Sequence, residues 1–419
     1  MLRLVRHWEY PPFSEIMVIN PLKGKHILLG VSGSIAAYKA ADLVRRLREM
    51  EAEVQVVMTA AAQGFVTPLT FQALTGKPVH TDLMDPAQEA AMGHIALARW
   101  ADLLLVAPAS ADCLARLAQG RANDLFTAVC LATTAPLAVA PSMNQQMWQA
   151  LATQENIAIL RRRGIQVWGP ARGDQACGEQ GPGRMLEPLE LIGAAARRLT
   201  EPYLAGRSVL VTAGPTREYL DPVRFLSNRS SGKMGYALAA AAAEAGAEVT
   251  LISGPVTLEP PPGVQQVQVE SAQQMCDATL TRTAATDIFI GCAAVADYRP
   301  TRPAAQKIKK GSQGLALELE RTPDTLEQIS KLADKPFMVG FAAETEHLET
   351  NARHKLNSKG LDMIAANWIK AGRGFEVDDN ALTVLWHGGK VELPMAPKIY
   401  LARGLIKLIA EHYHAKDSA

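Results

Sequence analysis

Twice along the chain a short apolar run ends in a turn of small residues and gives way to a helical pattern. This doubled opening constrains the fold more than any other feature. The first is His26-Ile27-Leu28-Leu29-Gly30-Val31-Ser32 followed by Gly33-Ser34. After it Ala40, Leu43, Val44 and Leu47 recur at i, i+3, i+4 and i+7, the stripe of a helix packed on a sheet. The second is Ser208-Val209-Leu210-Val211-Thr212-Ala213-Gly214, with an Ala-rich helix expected over residues 236–245 and Gly246 as its stop. Apolar runs at 54–58, 103–107, 137–140 and 165–168 follow the first opening, and runs at 248–253, 287–291, 337–340 and 362–366 follow the second. Strands apolar throughout, separated by helical stretches, imply βαβ units around mostly parallel sheets covered on both faces. Near the end, 383–386 and 390–393 flank His387-Gly388-Gly389 and read as a hairpin. The predicted class is α/β, two doubly wound Rossmann-like domains in series, and 419 residues suffice for both.

Pro and Gly in Glu201-Pro202-Tyr203-Leu204-Ala205-Gly206 place the boundary there, giving domains of 22–200 and 201–419. Residues 1–21 read as an extension outside the first core, with Met17 an alternative start. Within residues 1–16 charges and prolines interrupt any apolar core, so no signal peptide is expected, and no run is apolar enough to span a bilayer. Lys+Arg total 43 and Asp+Glu 42, a net +1 that gives no general attraction to nucleic acid or an anionic membrane. An anionic ligand must therefore be held by a local site. Five scattered cysteines without a C-x-x-C pair predict a reducing, cytoplasmic setting and no zinc site.

In the first half, Gly33-Ser34-Ile35-Ala36 and Pro108-Ala109-Ser110-Ala111-Asp112 each stand where a strand meets a helix, a junction whose free N–H groups suit phosphate. Either turn alone is what any α/β fold contains. His94 in Gly93-His94-Ile95 reads equally as a structural histidine, and Asn144 in Pro141-Ser142-Met143-Asn144 as a helix N-cap. Cys177 differs, because the loop Gly173-Asp174-Gln175-Ala176-Cys177-Gly178-Glu179-Gln180-Gly181-Pro182-Gly183-Arg184-Met185 is too rich in glycine to bury a side chain. A thiol there is expected on a mobile flap, brought to a ligand on closure.

Together with Ala122-Asn123-Asp124-Leu125, these segments resemble the flavin-dependent cysteine decarboxylases. Among them the match is to the phosphopantothenoylcysteine decarboxylase half of the bifunctional coenzyme A biosynthesis enzymes. The resemblance implies a flavodoxin-like flavoprotein domain with FMN contacted by Gly33, Ser34, Ala36, Thr59, Ser110 and Asn123. It implies oxidation of the substrate's CH₂–SH to a thioaldehyde, decarboxylation to an enethiolate and return of the hydride, so that no NAD(P)H is consumed. His94 would be the acid/base, Asn144 would hold the substrate carboxylate and Cys177 would donate the last proton. The decarboxylase family builds FMN sites between subunits, so a homo-oligomer is expected.

In the second half Gly214-Pro215-Thr216-Arg217-Glu218 follows the first strand. Gly232-Lys233 is no P-loop, because Met234 stands where Ser or Thr is required and Ser227 where Gly is required. What remains is a Ser/Gly-rich loop with Arg224, Arg229 and Lys233 nearby, which by itself could be a solvated turn. Lys307-Ile308-Lys309-Lys310 could likewise be a basic edge. Lys355 and Lys359 stand at i, i+4 on one helix face, and lysines converging on strand ends would suit a triphosphate.

This half is similar to phosphopantothenate–cysteine ligase, so the combined resemblance covers about residues 22 to 410. It implies a nucleotide-binding ligase domain using CTP and Mg²⁺. The phosphopantothenate carboxylate attacks the α-phosphate, and the cysteine amine then displaces CMP from the acyl-cytidylate. Arg224 and Asn228, with Ala294 beside them, would act at the first step, and Lys307 in the second step or on phosphate. Ala293, Asp297, Pro323, Asp324, Thr325, Leu326, Phe341, Lys355 and Lys359 would contact CTP. Two other readings are weaker. An NAD(P)-dependent oxidoreductase lacks G-x-G-x-x-G after either first strand. A flavin-binding regulatory protein has no use for His94, Asn144 and Cys177 together.

Overall fold

The computed structural model describes residues 19–83, 93–310, 315–368 and 377–417; most of the expected extension, with Met17, lies outside them. The described residues form two compact units, Asn20–Thr200 and one that takes in Glu201–Ala419.

The first unit is built on strands β1 (His26–Val31), β2 (Glu53–Met58), β3 (Leu103–Ala109), β4 (Leu137–Pro141) and β5 (Gln166–Val167), paired in parallel in the order β2-β1-β3-β4-β5. Side chains alternate across a strand, so one apolar run feeds two cores. Ile27, Leu29 and Val31 pack under helix Ala37–Glu49, while Leu28 points to the opposite face with Leu104, Val106 and Phe126. This is why β1 beyond His26, and all of β3, are apolar. The run at 165–168 yields only the two-residue β5. The glycine-rich stretch expected as a flap is an antiparallel hairpin, β6 (Ala171–Asp174) and β7 (Gln180–Arg184), with Cys177 at its tip.

The second unit holds β8 (Ser208–Ala213), the small pair β9 (Arg217–Tyr219) and β10 (Phe225–Ser227), then β11 (Glu248–Ser253), β12 (Val264–Gln268) and β13 (Ile288–Gly291). A second small pair follows, β14 (Tyr298–Pro300) and β15 (Leu319–Arg321), and then β16 (Phe337–Glu344), β17 (Met363–Trp368), β18 (Asp379–Trp386) and β19 (Gly389–Pro397). The main sheet runs β12-β11-β8-β13-β16-β17-β18-β19, parallel up to β17 and closed by the antiparallel hairpin. Chain direction away from the start reverses between β8 and β13, as it does between β1 and β3 in the first unit. Such switch points open a crevice at the carboxyl ends of the strands.

The Ala-rich helix spans Lys233–Glu244, three residues earlier than expected, because Gly232 at φ +76° turns the chain into it. Its alanines let helix Lys398–Asp417 pack closely over the same face of the sheet. Between these helices Arg403 and Glu244, whose side chains are 7% and 8% exposed, form a two-pronged ion pair at 2.6 and 2.9 Å.

Candidate active sites

In the first unit the loops after β1 and β3 are laced together at the switch point. Ser32 Oγ donates to the Pro108 carbonyl and accepts from the Ser110 amide, both at 2.8 Å. Ser110 Oγ caps helix Ala111–Gln119 through the Cys113 amide, and Thr59 caps helix Ala60–Gln63 after β2. Ser34 Oγ meets Ser142 Oγ at 2.8 Å and accepts from the Ala36 amide at 3.2 Å. Gly33, Ser34, Ala36, Thr59 and Ser110 therefore stand at or just beyond the carboxyl ends of adjacent strands. Asn123 is exposed one residue ahead of Asp124, the cap of helix Leu125–Ala132.

A cavity of about 350 Å³ lies here, lined by Ser34, Ala36, Asn144, Cys177, Lys39 and Arg184 among others. Asn144 fulfils the capping role and more. Its Oδ1 accepts from the Gln146 amide at 2.8 Å, which turns Nδ2 toward the hairpin tip and to 3.4 Å from Cys177 Sγ. Asn144 and Cys177 are thus brought together. Gly33, Thr59, Ser110 and Asn123 do not line this cavity, and neither does His94. His94 opens helix Gly93–Trp100, where its Nδ1 is buried without a hydrogen-bond partner among the described residues.

In the second unit a cleft of about 550 Å³ opens at the ends of β13 and β16. It gathers Ala293, Asp297, Pro323, Asp324, Thr325, Leu326, Phe341, Lys355 and Lys359, drawn from four separate stretches of chain. Lys355 Nζ donates to the Phe341 carbonyl at 2.8 Å. Burial pushes its ammonium below the usual lysine value, against the pull of Asp324, Glu344 and Asp297. Lys359 pairs with Asp324 at 2.8 Å and Glu327 at 3.2 Å, and the hydrogen bond to Asp324 leads in raising its pKa.

Beside this cleft the loops after β8 and β13 interlock, with the Ala294 amide donating to the Gly214 carbonyl at 2.9 Å. Asn228 Nδ2 donates to the carbonyls of Ala294 at 3.1 Å and Val295 at 3.0 Å, so Asn228 and Ala294 do adjoin. The Arg224 guanidinium donates to the Ile308 carbonyl and pairs with Asp221 at 3.2 Å. Lys307, next to Ile308, is exposed and lines neither cleft. A smaller chamber of about 130 Å³ lies between the Ser230-Ser231-Gly232-Lys233 loop and Cys292, Asn380 and Lys398. Burial lowers the Lys398 pKa and pushes the Cys292 thiol up to about 12, against the thiolate form. Asp221, Gln145, Glu179 and Lys398 carry no functional signal of their own in the sequence, since each has a decisive partner distant along the chain.

Residues 16–200 match the family model described as Flavoprotein, and residues 204–413 match the DNA/pantothenate metabolism flavoprotein C-terminal domain. Over 395 residues the chain is 55% identical to the coenzyme A biosynthesis bifunctional protein CoaBC of Vibrio vulnificus (strain CMCP6), covering 93% of this chain and 98% of that relative. The chain belongs to the CoaBC family. The CoaBC protein of Escherichia coli (strain K12) is 52% identical over 402 residues, covering 94% of this chain and 99% of the relative. The solved C-terminal domain of a CoaBC protein is 42% identical, covers 51% of this chain and 100% of its own, and superimposes with a TM-score of 0.45. As a CoaBC protein, the chain is a bifunctional enzyme of coenzyme A biosynthesis, with a flavoprotein decarboxylase half and a ligase half.

Proposed function

We propose that residues 201–419 join cysteine to 4'-phosphopantothenate at the expense of CTP, and that residues 22–200 decarboxylate the 4'-phosphopantothenoylcysteine formed to 4'-phosphopantetheine with FMN. The observation that carries this reading is the convergence of two unrelated sets of groups at two switch points. One set is an amide and a thiol, Asn144 and Cys177, and the other is a lysine-lined cleft.

The first site fits FMN. Adjacent helix N-termini with Ser34 and Ser110 meet at the β1/β3 switch point, where flavodoxin-like sheets hold this group. FMN, when bound, supplies the reversible two-electron oxidation that gives the substrate carboxylate an electron sink. The Asn144 amide donates to that carboxylate and orients it for loss of carbon dioxide. Cys177 Sγ, exposed at the hairpin tip, carries a proton to the carbon left behind. His94 serves as acid/base from outside the cavity of its own chain. A second copy would then have to complete the site, so a homo-oligomer belongs to this reading.

In the ligase half Lys355 and Lys359 take the CTP phosphates, with Asp297 and the segment from Pro323 to Leu326 holding the nucleoside. Arg224 and Asn228 steady charge building at the carboxylate and α-phosphate, and Lys307 serves the amide-forming step. No cluster of three or more His, Cys, Asp or Glu side chains suited to a metal occurs among the described residues. Mg²⁺ would therefore be held chiefly by the triphosphate, with a carboxylate such as Asp297 or Asp324, its ordinary manner of binding. No helix among the described residues is long and apolar enough to cross a membrane. The free thiol at Cys177 suits the reducing cytoplasm.

The test is mass spectrometry of products after incubation with phosphopantothenate, cysteine, CTP and Mg²⁺. Phosphopantetheine with CMP is expected, phosphopantothenoylcysteine alone would leave only the ligase, and no product from FMN-loaded protein would overturn the reading.

A further inference from the structure

The hairpin β6–β7 is seated on the segment that carries Asn144. The Met143 amide donates to the Gly183 carbonyl at 2.9 Å, and the Gln145 amide donates to Gln175 Oε1 at 3.0 Å. Two glycines allow this approach. A Cβ at Gly181 would lie 1.9 Å from Gln145 Oε1, and one at Gly183, whose φ is +138°, would lie 2.3 Å from the Met143 carbonyl oxygen. The seating aims two side-chain amides at one oxygen. Asn144 Nδ2 donates to Glu179 Oε2 at 2.8 Å and Gln145 Nε2 donates to the same oxygen at 3.1 Å.

We infer that Asn144 and Gln145 form a carboxylate cradle in which Glu179, from the hairpin itself, stands in for the substrate carboxylate until that group displaces it. Two features support an exchangeable occupant rather than a structural link. The nearby cations Lys39 and Arg184 both pair with Glu187, at 2.6 and 3.4 Å, and neither pairs with Glu179. The cradle therefore holds its carboxylate with neutral donors, weaker than a bidentate guanidinium. Glu179 is also exposed at the tip, so exchanging one carboxylate for another leaves the donors paired at every stage and moves no core residue. Self-occupation lowers the fraction of sites open to substrate, and apparent affinity falls by that fraction. A ligand without a carboxylate does not compete for the cradle and is not affected, which makes Glu179 and Gln145 specificity-determining residues for the carboxylate-bearing substrate.

This inference rests on the reading of the first unit as the decarboxylase, and the experiment separates the two. Full-length, FMN-loaded wild type, Glu179→Ala and Gln145→Ala are compared in steady-state decarboxylation of phosphopantothenoylcysteine and in binding of phosphopantetheine, which lacks the carboxylate. If Glu179 fills the cradle about nine-tenths of the time, Glu179→Ala lowers KM about tenfold and changes kcat less than about twofold. Its affinity for phosphopantetheine changes far less than its KM. Gln145→Ala raises KM. An unchanged or raised KM in Glu179→Ala overturns the inference. So does equal tightening of substrate and product, which would make Glu179 a mere obstruction. Wild type that releases no carbon dioxide from this substrate would instead overturn the decarboxylase reading.

Discussion

Asp221 shows how much one carboxylate can organise. It is 1% exposed and accepts from the amides of Val223 at 2.8 Å, Arg224 at 2.9 Å and Ile308 at 3.1 Å. It thus ties the loop of Arg224 to the strap that carries Lys307. Burial pushes its pKa up, but the three amides and the Arg224 guanidinium outweigh burial and hold it below the ordinary 3.8. A carboxyl lowered on folding adds stability that is present above its unfolded value and lost as pH falls through the folded one. Acid loosening of this loop is therefore expected only below about pH 4, read as loss of ligation before global unfolding. Asp221→Asn keeps an acceptor but not the charge that aligns Arg224. Its CMP release should fall about tenfold or more, while carbon dioxide release from supplied phosphopantothenoylcysteine stays at the wild-type rate. Glu244 poses the opposite case, a buried ion partner remote from the chemistry. Glu244→Ala leaves Arg403 charged and unpaired in the core and should cost about 3–5 kcal/mol, seen as a lower Tm of the second unit. Arg224 and Asn228 were legible as residues of a motif. The bonds of Asp221 to the Val223 and Arg224 amides suit a local Asp-Pro turn, but its tie to the Lys307 strap was not legible, because that third amide stands 87 positions away.

At the scale of elements, the hairpin β6–β7 carries the decarboxylase proposal. The glycines of this segment were readable, and a loop unable to bury Cys177 was the right inference. Its two-stranded form was not readable, since Ala171-Arg172-Gly173-Asp174 and Gln180-Gly181-Pro182-Gly183-Arg184 have no strand pattern and pair only because they lie on the Met143 segment. Gly183→Ala forces a Cβ against a backbone carbonyl at positive φ, where relief requires undocking the hairpin. It should abolish most decarboxylation and leave ligation and the thermal transitions near wild type. Gly193 offers the control. It lies inside helix Pro188–Leu199, and a Cβ added there would meet nothing within 4 Å, so Gly193→Ala should raise the stability of the first unit by up to about 1 kcal/mol. Strand β12 was missed for a related reason. Three glutamines among its five residues hide an edge strand that exposes much of its surface.

For the molecule as a whole, each unit buries its own core and assembles its own cleft. Cys177→Ser should therefore leave CMP formation at the wild-type rate and stop the decarboxylase after one turnover, with one equivalent of carbon dioxide released and the decarboxylated enethiol accumulating in place of phosphopantetheine. Asn228→Asp should do the reverse, sparing decarboxylation of supplied intermediate. Equal loss of both activities in either variant would mean that the chemistries are coupled. The sequence by itself determined the fold class, because strands buried on two faces must be apolar throughout and helices between them must show a 3.6-residue stripe. It also marked the turns that end at the switch points, since only small or capping residues fit where a strand feeds a helix. Only the tertiary structure decided which of those residues share a site. Strand order brings β13 and β16 together although a helix and a small strand pair separate them along the chain, and the hairpin β6–β7 reaches back to Asn144. Hydrogen bonds and charges act over a few ångströms of space whatever the separation along the chain, so the cradle around Glu179, the tie from Asp221 to Ile308 and the absence of His94 from its own chain's cavity had no local signature to read.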